Sequence, residues 1–372
     1  MAKPRVVELD FMRATAMIMV VMLHVSAAYV AYSPVGSNVF YLGLLLNQWS
    51  RICLPLFVFV SGFGLFYGYG QKTKLDLKEF YSRRFYMVFV PYLIWSFIYM
   101  ILRDIFNPSF YFIGLPVKEA FFSYITWTFK ENIHTPIWFV LLIVQLYFIF
   151  PVLLSPVARI KKPIQSIMVN SLFFLVVITY LRFFMTMSGI HVIDWLQRYY
   201  SVNLIGWYFY FILGGIVAQN WSMFKKIPLN KFGITLLYII TTFLVILEAY
   251  LGFLKYGQPH LEVYTSIRPT VLINSMAAIP AIYLFAQKTM GWDKLANFFK
   301  DISRYSYGIF FIHPQVLTVV KKVVGRLYGT YTTRVFQLFL VFVLTMVCSY
   351  VFCYIVDRTP FRTILLGVGK RK

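Results

Sequence analysis

The sequence predicts an all-α fold, a polytopic integral membrane bundle of about ten transmembrane helices with both termini cytoplasmic. Three observations carry that prediction. Of the 372 residues, 60% are apolar and only 13% are charged, about half the charge of an ordinary soluble domain. Apolar runs of about 20 residues, enough to cross a hydrocarbon core about 30 Å thick, recur along the whole chain. With the N-terminus inside, the inner connecting segments carry 22 Lys and Arg and the outer ones 11, the bias that orients membrane proteins. The same composition excludes other classes. A net charge of +22 would in a soluble protein point to nucleic acid, but such binders keep a polar surface, and disorder requires low hydrophobicity.

The ten spans run over 12–32, 39–69, 86–106, 136–157, 164–185, 202–219, 232–253, 270–287, 305–321 and 335–356. The first follows Lys3 and Arg5 and is expected to stay as an anchor rather than be cleaved as a signal, because nine more spans follow it. The second is too long for one straight crossing. Its outer half holds Asn47, Gln48, Ser50 and Arg51, which predicts a kink or a cavity-lining stretch. In the segment 107–135 the amphipathic stretch Val117–Lys130 is expected to lie at the membrane surface. No soluble domain of useful size is left, and no internal repeat marks inverted halves. Cys53, Cys348 and Cys353 sit inside apolar runs, and the five histidines form no i,i+4 pair. Neither a metal site nor a disulfide framework is therefore expected.

The chemistry concentrates on the first span. Arg13 and His24 are eleven residues apart, nearly three helical turns, so both project from one face about 16 Å apart. Arg13 then sits at the cytoplasmic edge and His24 near the midplane, where an ionisable group is functional by default. The bland alternative for His24 is a neutral ring bonded to a neighbouring helix. His313, at similar depth on the ninth span and followed by Pro314, is open to the same two readings, cavity lining or a structural bond. Arg51 is a permanent charge within a span and requires a watery cavity or a carboxylate; acceptor binding and oxyanion stabilisation are the functional roles open to it. Arg83 and Arg84 precede the third span, where topology alone places cations, and they equally suit phosphate binding. Trp127, Trp195, Tyr199 and Tyr200 are expected as interfacial anchors, with stacking on sugar rings as the alternative. Glu248, near the outer end of the seventh span, is expected to be interfacial rather than catalytic.

The Asp10-x-x-Arg13 leading to His24 resembles the hallmark of the membrane-bound acyltransferase type 3 family. Ser50-Arg51-Ile52-Cys53-Leu54-Pro55-Leu56-Phe57 with Ser61-Gly62-Phe63 is similar to that family's second-helix signature. Phe80-Tyr81-Ser82-Arg83-Arg84 followed by Pro91-Tyr92 resembles its basic loop into span three. Trp138-Phe139 resembles the start of its fourth span, and Ser306-Tyr307-Gly308-Ile309 with His313 its late helix. The resemblance runs from end to end and implies a single transmembrane acyltransferase domain over residues 1–372. It implies an enzyme of the cytoplasmic membrane that moves an acyl group, acetyl before others, from cytosolic acyl-CoA to hydroxyls, sometimes amines, of an exported or surface glycan. Membrane lipid is its other expected neighbour, with no metal and no nucleic acid.

In that scheme His24 is the general base, or a transient acyl carrier, because histidine titrates near working pH. Arg13 fixes the polyanionic donor, with Arg83 and Arg84 next. Where the family often has a second Arg three residues on, this chain has Phe85-Tyr86-Met87, which leaves Lys72 and Lys74 to complete the clamp. Arg51, His313, Ser61 and Tyr307 are the expected substrate and cavity groups. The rival reading is a transporter or flippase of a lipid-linked or acidic solute, with His24, Arg51 and His313 lining the pathway.

Overall fold

The computed structural model describes residues 4–70, 75–106, 112–129, 136–183, 199, 202–259, 264–329 and 332–369. Among these all regular structure is helical, and nine helices are long and apolar enough to cross a membrane. The protein is an all-α polytopic membrane protein.

Helix α1 (Glu8–Tyr32) crosses first. The long second span is α2 (Asn38–Trp49) and α3 (Cys53–Tyr69), separated by one tight 3-10 turn at Ser50–Ile52, where the polar residues predicted a kink. Helix α4 (Leu77–Arg84) runs through a π turn, Phe85–Phe89, into α5 (Val90–Phe106). Pro91 has no N–H to offer the Met87 carbonyl, so the regular ladder is interrupted at that turn. Next come α6 (Val117–Phe129), α7 (Trp138–Ala158), α8 (Pro163–Phe183), α9 (Tyr208–Gln219) and α10 (Lys231–Tyr256). The chain closes with α11 (Pro269–Thr289), α12 (Asp293–Tyr328), α13 (Val335–Val356) and the short α14 (Arg362–Leu366). Ser37, Asp76 and Asn230 start α2, α4 and α10 by accepting the amides of Phe40, Glu79 and Gly233, which would otherwise lack partners.

Two spans differ from expectation. The sixth, predicted over 202–219, is a 3-10 turn at Leu204–Gly206 followed by an α-helix only from Tyr208 to Gln219, about 18 Å and too short to cross alone. It is enclosed instead. A Cβ on Gly62 would strike the Phe211 carbonyl, and one on Gly214 the Phe59 carbonyl, so glycines let the α3 and α9 backbones touch. The ninth, predicted over 305–321, is part of a 36-residue helix. Its first turns carry Asp293, Lys294, Lys300 and Asp301 and therefore escaped a hydropathy ruler.

Helix α1 is the hub: 72% of its most apolar stretch is buried inside the protein, against 17% for α8 and α10, whose apolar faces are left on the outside of the bundle. It packs on α2, α3, α11, α12 and α13. The Ser303 hydroxyl donates to Asp10 Oδ1 (3.0 Å), and Arg304 grips Asp357 (3.1 Å). The starts of α1 and α12 and the end of α13 therefore share one face, here called the terminal face. The Ser33 hydroxyl donates to the Thr332 carbonyl (2.9 Å), tying the other end of α1 to the α12–α13 connection on the opposite face.

Candidate active site

The α1 register sets the site. Asp10 is held by Ser303 and by an ion pair with Arg5 (2.8 Å), which pins the first turn of α1 against α12. One turn on, Arg13 faces a cavity of about 450 Å³ near the terminal face. Ser61 of α3, Arg83 and Arg84 of α4, and Arg304 and Tyr307 of α12 line the same cavity. Five residues singled out from sequence, Arg13, Ser61, Arg83, Arg84 and Tyr307, thus come together. Among the described residues Arg13 and Arg83 make no ion pair, so their charge is free for an anionic ligand. The Arg84 guanidinium lies over the rings of Phe80 (5.4 Å) and Tyr147 (5.1 Å). The Ser61 hydroxyl donates to the Tyr147 hydroxyl (3.1 Å). Tyr307 lines the wall, but its hydroxyl is spent on the Val88 carbonyl (2.7 Å) at the π turn. Lys72 and Lys74 lie outside the described residues.

Sequence reasoning missed two parts of this cavity. Arg304, counted as a topological cation, lines it while bonded to Asp357; its place two residues before Ser306-Tyr307 was the available signal. Leu366, Gly367 and Val368 fold back from the C-terminal end as part of the wall. They are held there by Trp95 Nε1–H donating to the Leu365 carbonyl (2.9 Å). Gly367 has φ +61°, and a Cβ there would strike the Met87 carbonyl, so no other residue replaces it without strain.

The inner end of the cavity is aromatic. Phe57, Phe139 and Phe310 line it, with Phe57 and Phe139 6.2 Å and Phe139 and Phe310 5.9 Å apart between centroids. Phe310 in turn lies 6.0 Å from the ring of His313, which lies 5.3 Å from the ring of His24. The two predicted histidines therefore meet at mid-bundle, beyond the inner end of the arginine cavity. His313 is buried, and its Nδ1 lies 3.0 Å from the Ile309 carbonyl. A carbonyl only accepts, so Nδ1 carries the proton and Nε2 is left as a lone pair. Nε2 has no partner among the described residues. His24 keeps partial exposure on a helix whose other faces are almost all buried.

Arg51 lies outside the arginine cavity. Its Nη2 donates to Asn47 Oδ1 (2.7 Å), and the Asn47 amide in turn donates to the Leu23 carbonyl, one residue before His24. Glu248 is not merely interfacial: it pairs with Arg182 (2.7 Å) and Arg268 (3.1 Å) and accepts from the Thr270 hydroxyl. Trp127 is buried, donates Nε1–H to the Ser96 carbonyl (3.2 Å) and stacks on Arg103 (4.4 Å). It is packing, not a sugar platform. Tyr199 is half-buried, and Trp195 and Tyr200 lie outside the described residues. Among the described residues no cluster of three or more His, Cys, Asp or Glu is placed to hold a metal ion.

Comparison with known proteins adds a family-wide match and one partial relative. The acyltransferase domain family matches residues 6–354. Over 150 residues the chain is 29% identical to a probable poly-beta-1,6-N-acetyl-D-glucosamine export protein of Staphylococcus epidermidis, with 39% of each chain covered. The same protein from a named strain of that species matches equally. The aligned part thus spans about two fifths of the length of these curated relatives. No solved structure matches.

Proposed function

Because the chain belongs to the type 3 acyltransferase family, we propose that it transfers an acyl group, acetyl before others, from cytosolic acyl-CoA to a hydroxyl of an exported or cell-surface glycan. The observation that carries this reading is the line running from the arginine cavity through Phe57, Phe139 and Phe310 to the His24–His313 pair. It gives a polyanionic donor a cationic seat at one end and a proton acceptor at the other. The terminal face is the cytoplasmic one on the twofold excess of cations there, so the donor enters beside Arg13, Arg83 and Arg84, and the acceptor arrives from the opposite face. The protein is then a multi-pass component of the cytoplasmic membrane.

The reaction follows from these positions. His24 takes the proton of the acceptor hydroxyl as its oxygen bonds to the thioester carbon; the C–S bond breaks, and the proton passes from His24 to the leaving thiolate. His313 Nε2, whose lone pair has no partner among the described residues, lies beside the His24 ring and would accept its N–H as the reaction proceeds, leaving the other His24 nitrogen for the acceptor, a role a third group commonly plays for a base. Arg13 and Arg83 hold the donor phosphates through charge-assisted hydrogen bonds. Purified protein supplied with labelled acetyl-CoA and a polysaccharide mixture tests the reading: label should pass to polysaccharide. Failure to bind any acyl-CoA would overturn it.

A second reading, export of a solute, draws on the printed name of the relatives. It predicts movement of a saccharide across a vesicle membrane with no acyl donor present, whereas the acyltransferase reading predicts none.

A further inference from the structure

Beyond the histidine pair, towards the opposite face, lies a polar cluster that donor binding does not use. The Asn47 amide donates to the Leu23 carbonyl (3.0 Å), one residue before His24, and lies 3.4 Å from the Ser26 hydroxyl. Its Oδ1 accepts from Arg51 Nη2 (2.7 Å) and from Gln48 Nε2 (3.1 Å). Gln48 Oε1 accepts from Arg268 Nη2 at 2.7 Å. Two guanidinium groups, one on the 3-10 turn and one at the start of α11, are thus gathered by a pair of adjacent neutral amides.

Among the described residues Arg51 and Arg268 have one carboxylate between them. Glu248 is divided between Arg182 and Arg268, and among the described residues no carboxylate pairs with Arg51. Nε of Arg51, Nε of the fully buried Arg268 and the Tyr264 hydroxyl are all buried without a partner among the described residues. The Arg51 guanidinium lies 6.0 Å from the centre of the Tyr264 ring. Burial pushes the Tyr264 phenol up to about 12, against the pull of Arg51 and Arg268, so at neutral pH it is an O–H donor. Neutral amides fix geometry but do not neutralise, and a cation kept from water without an anion is costly. The cluster is not fully enclosed, since His24, Arg51 and Tyr264 each keep partial exposure.

We propose that Arg51, Arg268 and Tyr264 form an anion site beside His24 that takes a carboxylate or phosphate carried by the acceptor, so that the acceptor is an acidic saccharide. The word acceptor rests on the acyl-transfer reading above; the anion site does not. Such a site holds the acceptor from the side opposite the donor cavity and leaves its hydroxyl to His24.

The test is equilibrium binding to the full chain in lipid nanodiscs without donor. The probes are a hexuronic acid oligosaccharide, its carboxyl-reduced neutral counterpart and a sugar phosphate. At least one acidic probe should bind about tenfold more tightly than the neutral one, and the tighter of the two identifies carboxylate or phosphate as the recognised group. Arg51→Gln should erase the difference and Arg51→Lys retain part of it. Equal binding of all three probes by the wild type would overturn the proposal, as would a preference that survives Arg51→Gln. If Arg51→Gln fails to fold, Tyr264→Phe decides: it should weaken the acidic probe severalfold and leave the neutral probe unchanged, and no change with either refutes the site. Binding is read without chemistry, so absence of acyl transfer would refute the enzyme reading alone.

Discussion

The rings of His24 and His313 lie 5.3 Å apart between centroids and are tilted by 40°, joining α1 and α12 at mid-bundle. His313 comes just before Pro314, which lacks an N–H for the Phe310 carbonyl; the Tyr99 hydroxyl donates to the neighbouring Phe311 carbonyl (2.9 Å). The ring beside His24 thus sits where its helix lacks one backbone hydrogen bond, with Tyr99 bracing the next carbonyl. His313→Phe should lower kcat by about tenfold to a hundredfold with donor KM nearly unchanged, the signature of an interaction used in the transition state. His313→Gln should restore part of the loss, since its amide can both donate to the Ile309 carbonyl and accept from His24. Steady-state kinetics of the two variants separate this from a merely structural role.

Arg13 and Arg83 carry free charge into the arginine cavity, and if that cavity seats the proposed donor their removal should act on binding. Arg13→Ala and Arg83→Ala should each raise donor KM by about tenfold with a smaller change in kcat. Isothermal titration with a non-hydrolysable acyl-CoA analogue should report the same loss as a weaker Kd.

The α3–α9 contact should be intolerant of one added methyl. Gly62→Ala and Gly214→Ala each place a Cβ against a backbone carbonyl, which no side-chain rotation relieves. Each should cost about 1–3 kcal/mol, seen as a lower thermal midpoint in detergent.

Glu248 is the shared counter-ion of Arg182 and Arg268, whose side chains are 7% and 0% exposed. Glu248→Gln should take the carboxylate from the fully buried Arg268 and destabilise the protein by about 3–5 kcal/mol. The check is the yield of monodisperse protein and its thermal midpoint beside the wild type.

Much of this architecture was legible in the sequence because lipid imposes a length on every span. The kink at Ser50–Ile52 was announced by four polar residues in one apolar run, and Arg13 and His24 by their three-turn spacing. What escaped depended on long-range packing. The enclosure of the short α9 rests on glycine contacts with α3, which no periodicity reports. The meeting of His24 with His313 joins residues nearly 300 positions apart, and nothing local in either helix encodes it. Arg304 was hidden because a cation near a span end is expected on topological grounds, and only its neighbours in space reveal the cavity. Trp127 looked interfacial by residue type, while its buried ring and its bond to the Ser96 carbonyl make it part of the packing between α5 and α6.

The central claim is that His24 performs the transfer while the arginine cavity holds the donor. The direct measurement is transfer of label from acetyl-CoA to a saccharide acceptor by wild type and His24→Ala, with donor affinity measured on the same preparations. Donor binding should stay within about twofold of wild type, and transfer should fall by about a hundredfold or more. Transfer by His24→Ala at the wild-type rate would contradict the claim.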